Sequence, residues 1–173
     1  MIKLITLSEY SEELLMLEIR CYQPADNPAV WELHHRALGP TGAYFRDGIW
    51  DADLNDIPHH YLQNGGEFLV GILDGKIVAM GAFRKKSTTL AEIKRMRVLP
   101  EYQRRGFGQA ILNQLETKAI QRGYTELCLA TTTLQIAAQK IYEKNGYTAN
   151  GRGQLPPFEV IYYHKNLNPE ETK

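Results

Sequence analysis

From Gly66 to Asn166 the chain switches between two hydrophobic periods, in an order that demands a mixed sheet. GEFLVGIL and KIVAMGAF alternate with the period of a strand and flank Asp74-Gly75, a pair suited to the positive φ angles of a tight hairpin turn. TLAEIKRMRV predicts a third strand. Phe107, Ile111, Leu115 and Ala119 then recur four apart and predict a helix from Phe107 to about Arg122, with Gly123 placed to end it. TELCLATT predicts a strand, LQIAAQKIYEKNGY a helix closed by Asn145-Gly146, and FEVIYYHKN a last strand. Antiparallel strands followed by strand, helix, strand, helix, strand require at least one parallel crossover, so the expected class is α/β (α+β).

The first third reads less cleanly. IKLITL alternates like a strand, and Ser8 or Ser11 offers a cap for a helix over EELLMLEIRCYQ, where Leu14, Leu17 and Cys21 fall at helical spacing. Pro24 and Pro28 are expected to end that helix region. Residues 31–64, rich in aromatics and prolines, predict one or two short helices ending at YLQNGG. No linker, repeat or low-complexity tract divides residues 1–173, which predicts a single domain.

Lys plus Arg (20) and Asp plus Glu (20) cancel, so no net field would gather a polyanion; neither a nucleic-acid nor a membrane partner is implied. Apolar runs such as FLVGIL fall far short of the roughly 20 residues of a membrane helix, and the start lacks a signal peptide's apolar core. A soluble, cytoplasmic protein is expected. Cys21 and Cys128 are too few and too far apart for a disulfide framework or metal knuckle. The adjacent pairs His34-His35 and His59-His60 match no ligand spacing, so no metal is expected.

The third strand carries too much charge for a centre of a sheet. Strict alternation places Glu92, Lys94, Met96 and Val98 on one face and Ala91, Ile93, Arg95 and Arg97 on the other, so neither is clean. Charges buried without partners cost several kcal/mol, so these groups must be paired at an edge or line a wet cleft. Glu92 at such a cleft is a general-base candidate, with a structural ion pair as its alternative role.

After that strand comes QRRGFG. Helix N-termini carry unpaired N–H groups and a partial positive charge, and so seat anions. Gly106 and Gly108 permit a ligand phosphate close to the backbone, while Arg104 and Arg105 add charge. The stretch reads as a pyrophosphate cradle. It is not a G-x-x-x-x-G-K-[ST] loop, and GFGQAI puts Ile111 where a dinucleotide fingerprint needs its third glycine.

The two stretches VLPEYQRRGFGQAIL and AAQKIYEKNGY, in this order with a strand between them, resemble the signatures of the GNAT superfamily of acetyl-CoA-dependent N-acetyltransferases. The resemblance spans roughly residues 66–166. It implies a GNAT-like mixed sheet of about six to seven strands, antiparallel at its N-terminal part and with a parallel, splayed strand pair, flanked by about four helices. It implies acetyl-CoA as cosubstrate: the pantetheine arm on main-chain groups of Met96, Arg97 and Val98, and the pyrophosphate on Gln103 and on amides of Arg104, Arg105, Gly106, Phe107, Gly108 and Gln109. On the later helix Gln135, Ala138 and Tyr142 share a face at i, i+3 and i+7. Gln135 stands where the family often has Asn, and keeps an amide. Tyr142 is similar to the tyrosine by which family members protonate the departing thiolate.

The resemblance thus implies direct acetyl transfer to a primary amine of a small molecule or amino acid derivative, with Glu92 as base candidate and Tyr142 as acid. Its alternatives are a non-catalytic acyl-CoA-binding module and an enzyme acting on a protein amine. Homodimers are common in the family. Cys128 is expected to be a small buried residue, not a nucleophile. Asp47, Asp51, Asp53 and Asp56, near Tyr44 and Trp50, either draw in a cationic amine or serve as turn and cap residues.

Overall fold

A computed structural model describes residues 16–43 and 49–168. The expected N-terminal strand, the first part of the helix after it, and Tyr44 and Asp47 lie outside these residues. Among the described residues, seven strands form one sheet in the order β1-β2-β3-β4-β5-β7-β6: β1 Glu18–Cys21, β2 Glu67–Leu73, β3 Lys76–Lys85, β4 Leu90–Val98, β5 Glu126–Thr132, β6 Thr148–Leu155 and β7 Phe158–Asn166. The α-helices that lie wholly among the described residues are α1 Asn27–Leu38, α2 Ile57–His60, α3 Phe107–Gln121 and α4 Ile136–Lys144, with short 3-10 turns between elements. All pairings are antiparallel except β4 with β5. No helix among the described residues is long and apolar enough to cross a membrane.

The hairpin forms at Asp74 and Gly75, whose φ angles are +50° and +74°. α3 packs on β2, β3 and β4 through Phe107, Ile111, Leu115 and Ala119, all at 1% exposure or less. Burial of each of the three larger side chains contributes roughly 1.5–3 kcal/mol. The contact leaves no room at Gly81, where a Cβ would meet Ile111 and Met96 side-chain atoms at 2.6 Å. The other face is covered by α1 and residues 49–61, with Tyr61 edge-on to Phe68 at 5.4 Å.

Two expectations are corrected here. EIRC is strand β1, paired with Leu69–Ile72 of β2, and not the end of a helix. Pro24 and Pro28 start helical segments instead of ending one, each in a first turn where its missing N–H costs nothing. β6, TANGRGQL, was not expected at all; it is exposed along nearly its whole length and is held by pairing to β7.

The surplus charge of β4 is resolved by a bulge. Arg95 and Met96 together face Gly81, and Arg95 takes φ +58°, a left-handed conformation that costs a non-glycine residue about 1–3 kcal/mol. The extra residue resets the alternation. Met96 and Val98 point toward α3, against the positions of Gly81 and Gly108, while Arg95 turns to the opposite face. The strictly alternating faces expected above therefore hold only up to Lys94.

Candidate active site

β4 and β5 pair in parallel only from Leu90–Glu126 to Glu92–Cys128. Beyond Glu92 they part, β5 staying with β7 and β4 with β3. The wedge opens into two adjoining clefts, of about 210 and 280 Å³, which share Leu38, Met96, Arg97, Gln135 and Tyr142. Into the wedge point main-chain carbonyls of β4 with no strand partner: Met96 accepts from Arg97 Nη1 at 2.7 Å, and Val98 from Gln103 Nε2 at 3.1 Å.

The larger cleft is mostly apolar and is bounded by Val98, Gly108, Ala138 and Ile141. At its end α3 begins. Gly106 is the N-cap with φ +86°, and no side chain caps the first amides. A Cβ at Gly108 would touch Ile141 at 3.4 Å and Val98 at 3.5 Å, within or at the edge of ordinary contact, so protein packing alone does not demand glycine there. Uncapped amides and room at the backbone suit an anion. Gln109 spends its side chain on Asn145 of the α4 C-terminus, at 2.7 and 2.8 Å. The Phe107 side chain is in the core, and Arg105 lies over the Tyr102 ring with Nη2 on Glu101 O. Arg104 is exposed at φ +60°. Of the residues implied for CoA, Met96, Arg97, Val98, Gln103, Gly108, Gln135 and Ala138 line this cleft, while the side chains of Arg104, Arg105, Phe107 and Gln109 do not.

Gln135 stands at the N-cap position of α4 without a side-chain cap, its Oε1 instead accepting from Thr131 Oγ1 at 2.8 Å. The helix begins at Ile136, so Leu134, expected at its start, stands outside it and is half exposed at the cleft rim. Tyr142 reaches both clefts at 6% exposure. Burial pushes its phenol up to about 12, against the pull of the Arg97 charge, so it holds its proton at neutral pH. Its ring is wedged edge-on to Tyr147 at 5.6 Å.

The smaller cleft is polar. Glu92 lines it and accepts from Arg84 Nε at 2.7 Å, so the base candidate and the ion-pair partner are the same group. Arg95 is clamped by Asp53, by Asp51 at 2.7 Å and by the Trp50 carbonyl at 2.5 Å. Tyr61 donates to the same Asp53. Burial would raise the Asp51 carboxyl, but His34 and Arg95 overcome it and hold it at about 2. His34, wholly buried, has its pKa lowered by burial and faces Asp51 at 3.1 Å. Two carboxylates that sequence reading offered to a cationic amine are thus consumed internally, and Asp56 caps α2 through His59 N.

Arg97 and Lys94 complete this wall. Arg97 Nε is sealed from solvent with no hydrogen-bond partner, and burial, then the Arg95 charge, pushes the guanidinium down to about 10. Burial likewise lowers Lys94, with Glu92 opposing. Sequence reading left Lys94 open between an edge ion pair and a wet cleft; the structure places it in the cleft, and strict alternation gave no sign of the bulge that opens the strand. Cys128 is partly buried with its thiol raised by burial, which is no setting for a nucleophile. No cluster of three or more metal-ligating side chains occurs among the described residues.

A family model described as Acetyltransferase (GNAT) family matches residues 27–147. The chain belongs to this family. A GNAT acetyltransferase from Staphylococcus aureus Mu50 superposes with a TM-score of 0.80 at 23% identity, covering 87% of this chain and 99% of the other. The PaiA N-acetyltransferase of Thermoplasma acidophilum, solved with coenzyme A, gives 0.70 at 18% identity, covering 84% and 97%. These likenesses establish the GNAT fold, and the parallel pair expected of it is the short β4–β5 pairing described above. Among curated proteins, N-acetylaspartate synthetase of Xenopus tropicalis is 33% identical over 97 residues, 55% of this chain. The matched region is 36% of that relative's length, so the chain corresponds to only part of it.

Proposed function

We propose that this GNAT enzyme transfers an acetyl group from acetyl-CoA to a primary amine of a small molecule, through a ternary complex and without an acyl-enzyme. The observation that carries the reading is the parting of β4 and β5 at Glu92 with Tyr142 buried at the wedge. The wedge offers main-chain groups of β4 that have no strand partner, held only by side chains of Arg97 and Gln103, to an extended arm, and the uncapped start of α3 offers amides to a pyrophosphate. The apolar cleft then holds the arm and the polar cleft the acceptor.

The chemistry asks three things of the chain. An amine attacks only when neutral; Glu92, directly or through water, takes its proton. The carbonyl oxygen gains charge in the tetrahedral intermediate and is met by a main-chain N–H of β4 near Met96 or Val98. The C–S bond then breaks, and the thiolate takes the Tyr142 proton. The kinship with synthetases named for N-acetylaspartate supports a small amino-acid-like acceptor over a protein amine.

Calorimetric titration with CoA, ATP and NAD tests the cofactor half of this reading. Micromolar binding of CoA alone is expected. Equal or tighter binding of ATP or NAD would overturn it.

A further inference from the structure

The charges facing the polar cleft do not pair off evenly among the described residues. Among the described residues, its carboxylates are already engaged: Glu92 with Arg84, and Asp51 with Arg95 and His34. Arg95 is in turn satisfied by Asp51 and Asp53. That leaves Arg97 and Lys94. Arg97 spends Nη1 on the Met96 carbonyl, its Nε has no acceptor, and it makes no ion pair with a described carboxylate. The Lys94 ammonium, on the same strand and in the same cleft, has no hydrogen bond or ion pair with a described residue.

Two half-buried cations that the carboxylates of Glu92, Asp51 and Asp53 reach only at a distance, with no direct ion pair among the described residues, are costly unless an anion meets them. They also repel a polyamine or any acceptor with a second positive charge. Toward a carboxylate they act in the opposite sense, as charge-assisted donors, and a guanidinium matches a carboxylate in its planar geometry. Their field has a further effect, since neighbouring positive charge favours the neutral form of an arriving amine, the form that attacks.

Resting on the acetyltransferase reading, we propose that the acceptor is an amino acid whose carboxylate groups are met by the two cations Arg97 and Lys94, so that a dicarboxylic amino acid, with one carboxylate for each, is preferred over a monocarboxylic one. In the reaction the amino nitrogen bonds to the thioester carbonyl carbon, and the C–S bond breaks as the tetrahedral intermediate collapses. The nitrogen's proton passes to Glu92 or water, the sulfur receives one from Tyr142, and the products are an N-acetyl amino acid and CoA. The bound carboxylate is unchanged throughout.

The test is a matched acceptor series of aspartate, alanine and ethylamine, which differ by one carboxylate at each step. CoA release should follow that order, with kcat/KM falling about 10- to 100-fold per carboxylate removed. Arg97→Gln and Lys94→Gln, checked for folding by circular dichroism, should each collapse the aspartate-to-ethylamine ratio about 10-fold or more, mainly through KM. Ethylamine turned over as well as aspartate, or a ratio unmoved in both variants, overturns the proposal. Calorimetry of aspartate into the protein with CoA separates the two layers. Binding that needs Arg97 and Lys94, without turnover of any amine, supports the carboxylate site while contradicting acetyl transfer. Turnover of amines with no carboxylate dependence does the reverse.

Discussion

Arg95 donates from Nε to Asp53 at 3.0 Å across 42 positions of sequence, and this bond fastens residues 49–55 over the middle of β4. The segment so fastened places Trp50 and Asp51 in the wall of the polar cleft. The same guanidinium sits on the bulge where β4 changes face, so one residue sets both the strand's geometry and the position of the wall opposite it.

Removing one partner of this buried pair leaves an uncompensated charge. Asp53→Asn should therefore lower unfolding free energy by about 3 kcal/mol, read as a lower urea midpoint at unchanged slope. Arg95→Met together with Asp53→Leu should cost less than Asp53→Asn alone. A double variant that is the less stable of the two would contradict the reading of the pair as a locating device.

Acid should loosen the same wall. The Asp51 carboxyl is held at about 2 in the folded chain, below its unfolded value of about 3.9, so the unfolded state binds the proton more readily and stability rises with pH. The contribution, about 2–3 kcal/mol, is complete above roughly pH 5 and is lost as the pH falls toward about 2. Urea midpoints of the parent and of Asp51→Asn, measured across this window, should converge as pH drops. A gap that stays constant would refute the assignment.

Gly108 offers a clean probe of the cradle. Because a Cβ there would make near-ordinary contacts, Gly108→Ala should fold with an unchanged melting temperature. Its affinity for CoA should fall about tenfold, or about 1.4 kcal/mol, as the methyl crowds the phosphate. Unchanged CoA affinity would remove α3's N-terminus from the account.

Tyr142, with its phenol pushed up to about 12, stays protonated through the accessible alkaline range. The kcat profile should therefore show no decline due to Tyr142 up to about pH 10. An alkaline limb below that pH which vanishes in Tyr142→Phe would mean that the phenol is far more acidic than its burial dictates.

From Gly66 onward the fold was legible because its elements carry their own signals. The Asp74-Gly75 turn, the four-residue spacing in α3 and the Gly-rich start of that helix are local features, and the structure keeps each. What could not be read depends on partners distant in sequence. EIRC has helical spacing, yet becomes a strand because β2 presents a free edge to it. TANGRGQL has no apolar alternation and is a strand only through β7. The partner of Arg95 comes from a segment without strong periodicity, and the bulge that turns Arg95 leaves no mark in a pattern of alternating charges. The candidate site divides in the same way. Tyr142 and the glycine cradle sit in contiguous motifs, whereas the cationic wall of Lys94 and Arg97 emerges only once the wedge is built.

The most direct measurement is acetyl transfer itself: purified protein, acetyl-CoA and a mixture of small amines and amino acids, with free thiol and N-acetylated product quantified together. One N-acetyl product should form per CoA released, and Tyr142→Phe should lower kcat by about 10²- to 10⁴-fold at unchanged CoA affinity. Absence of product with every amine, or full turnover in Tyr142→Phe, would contradict the account.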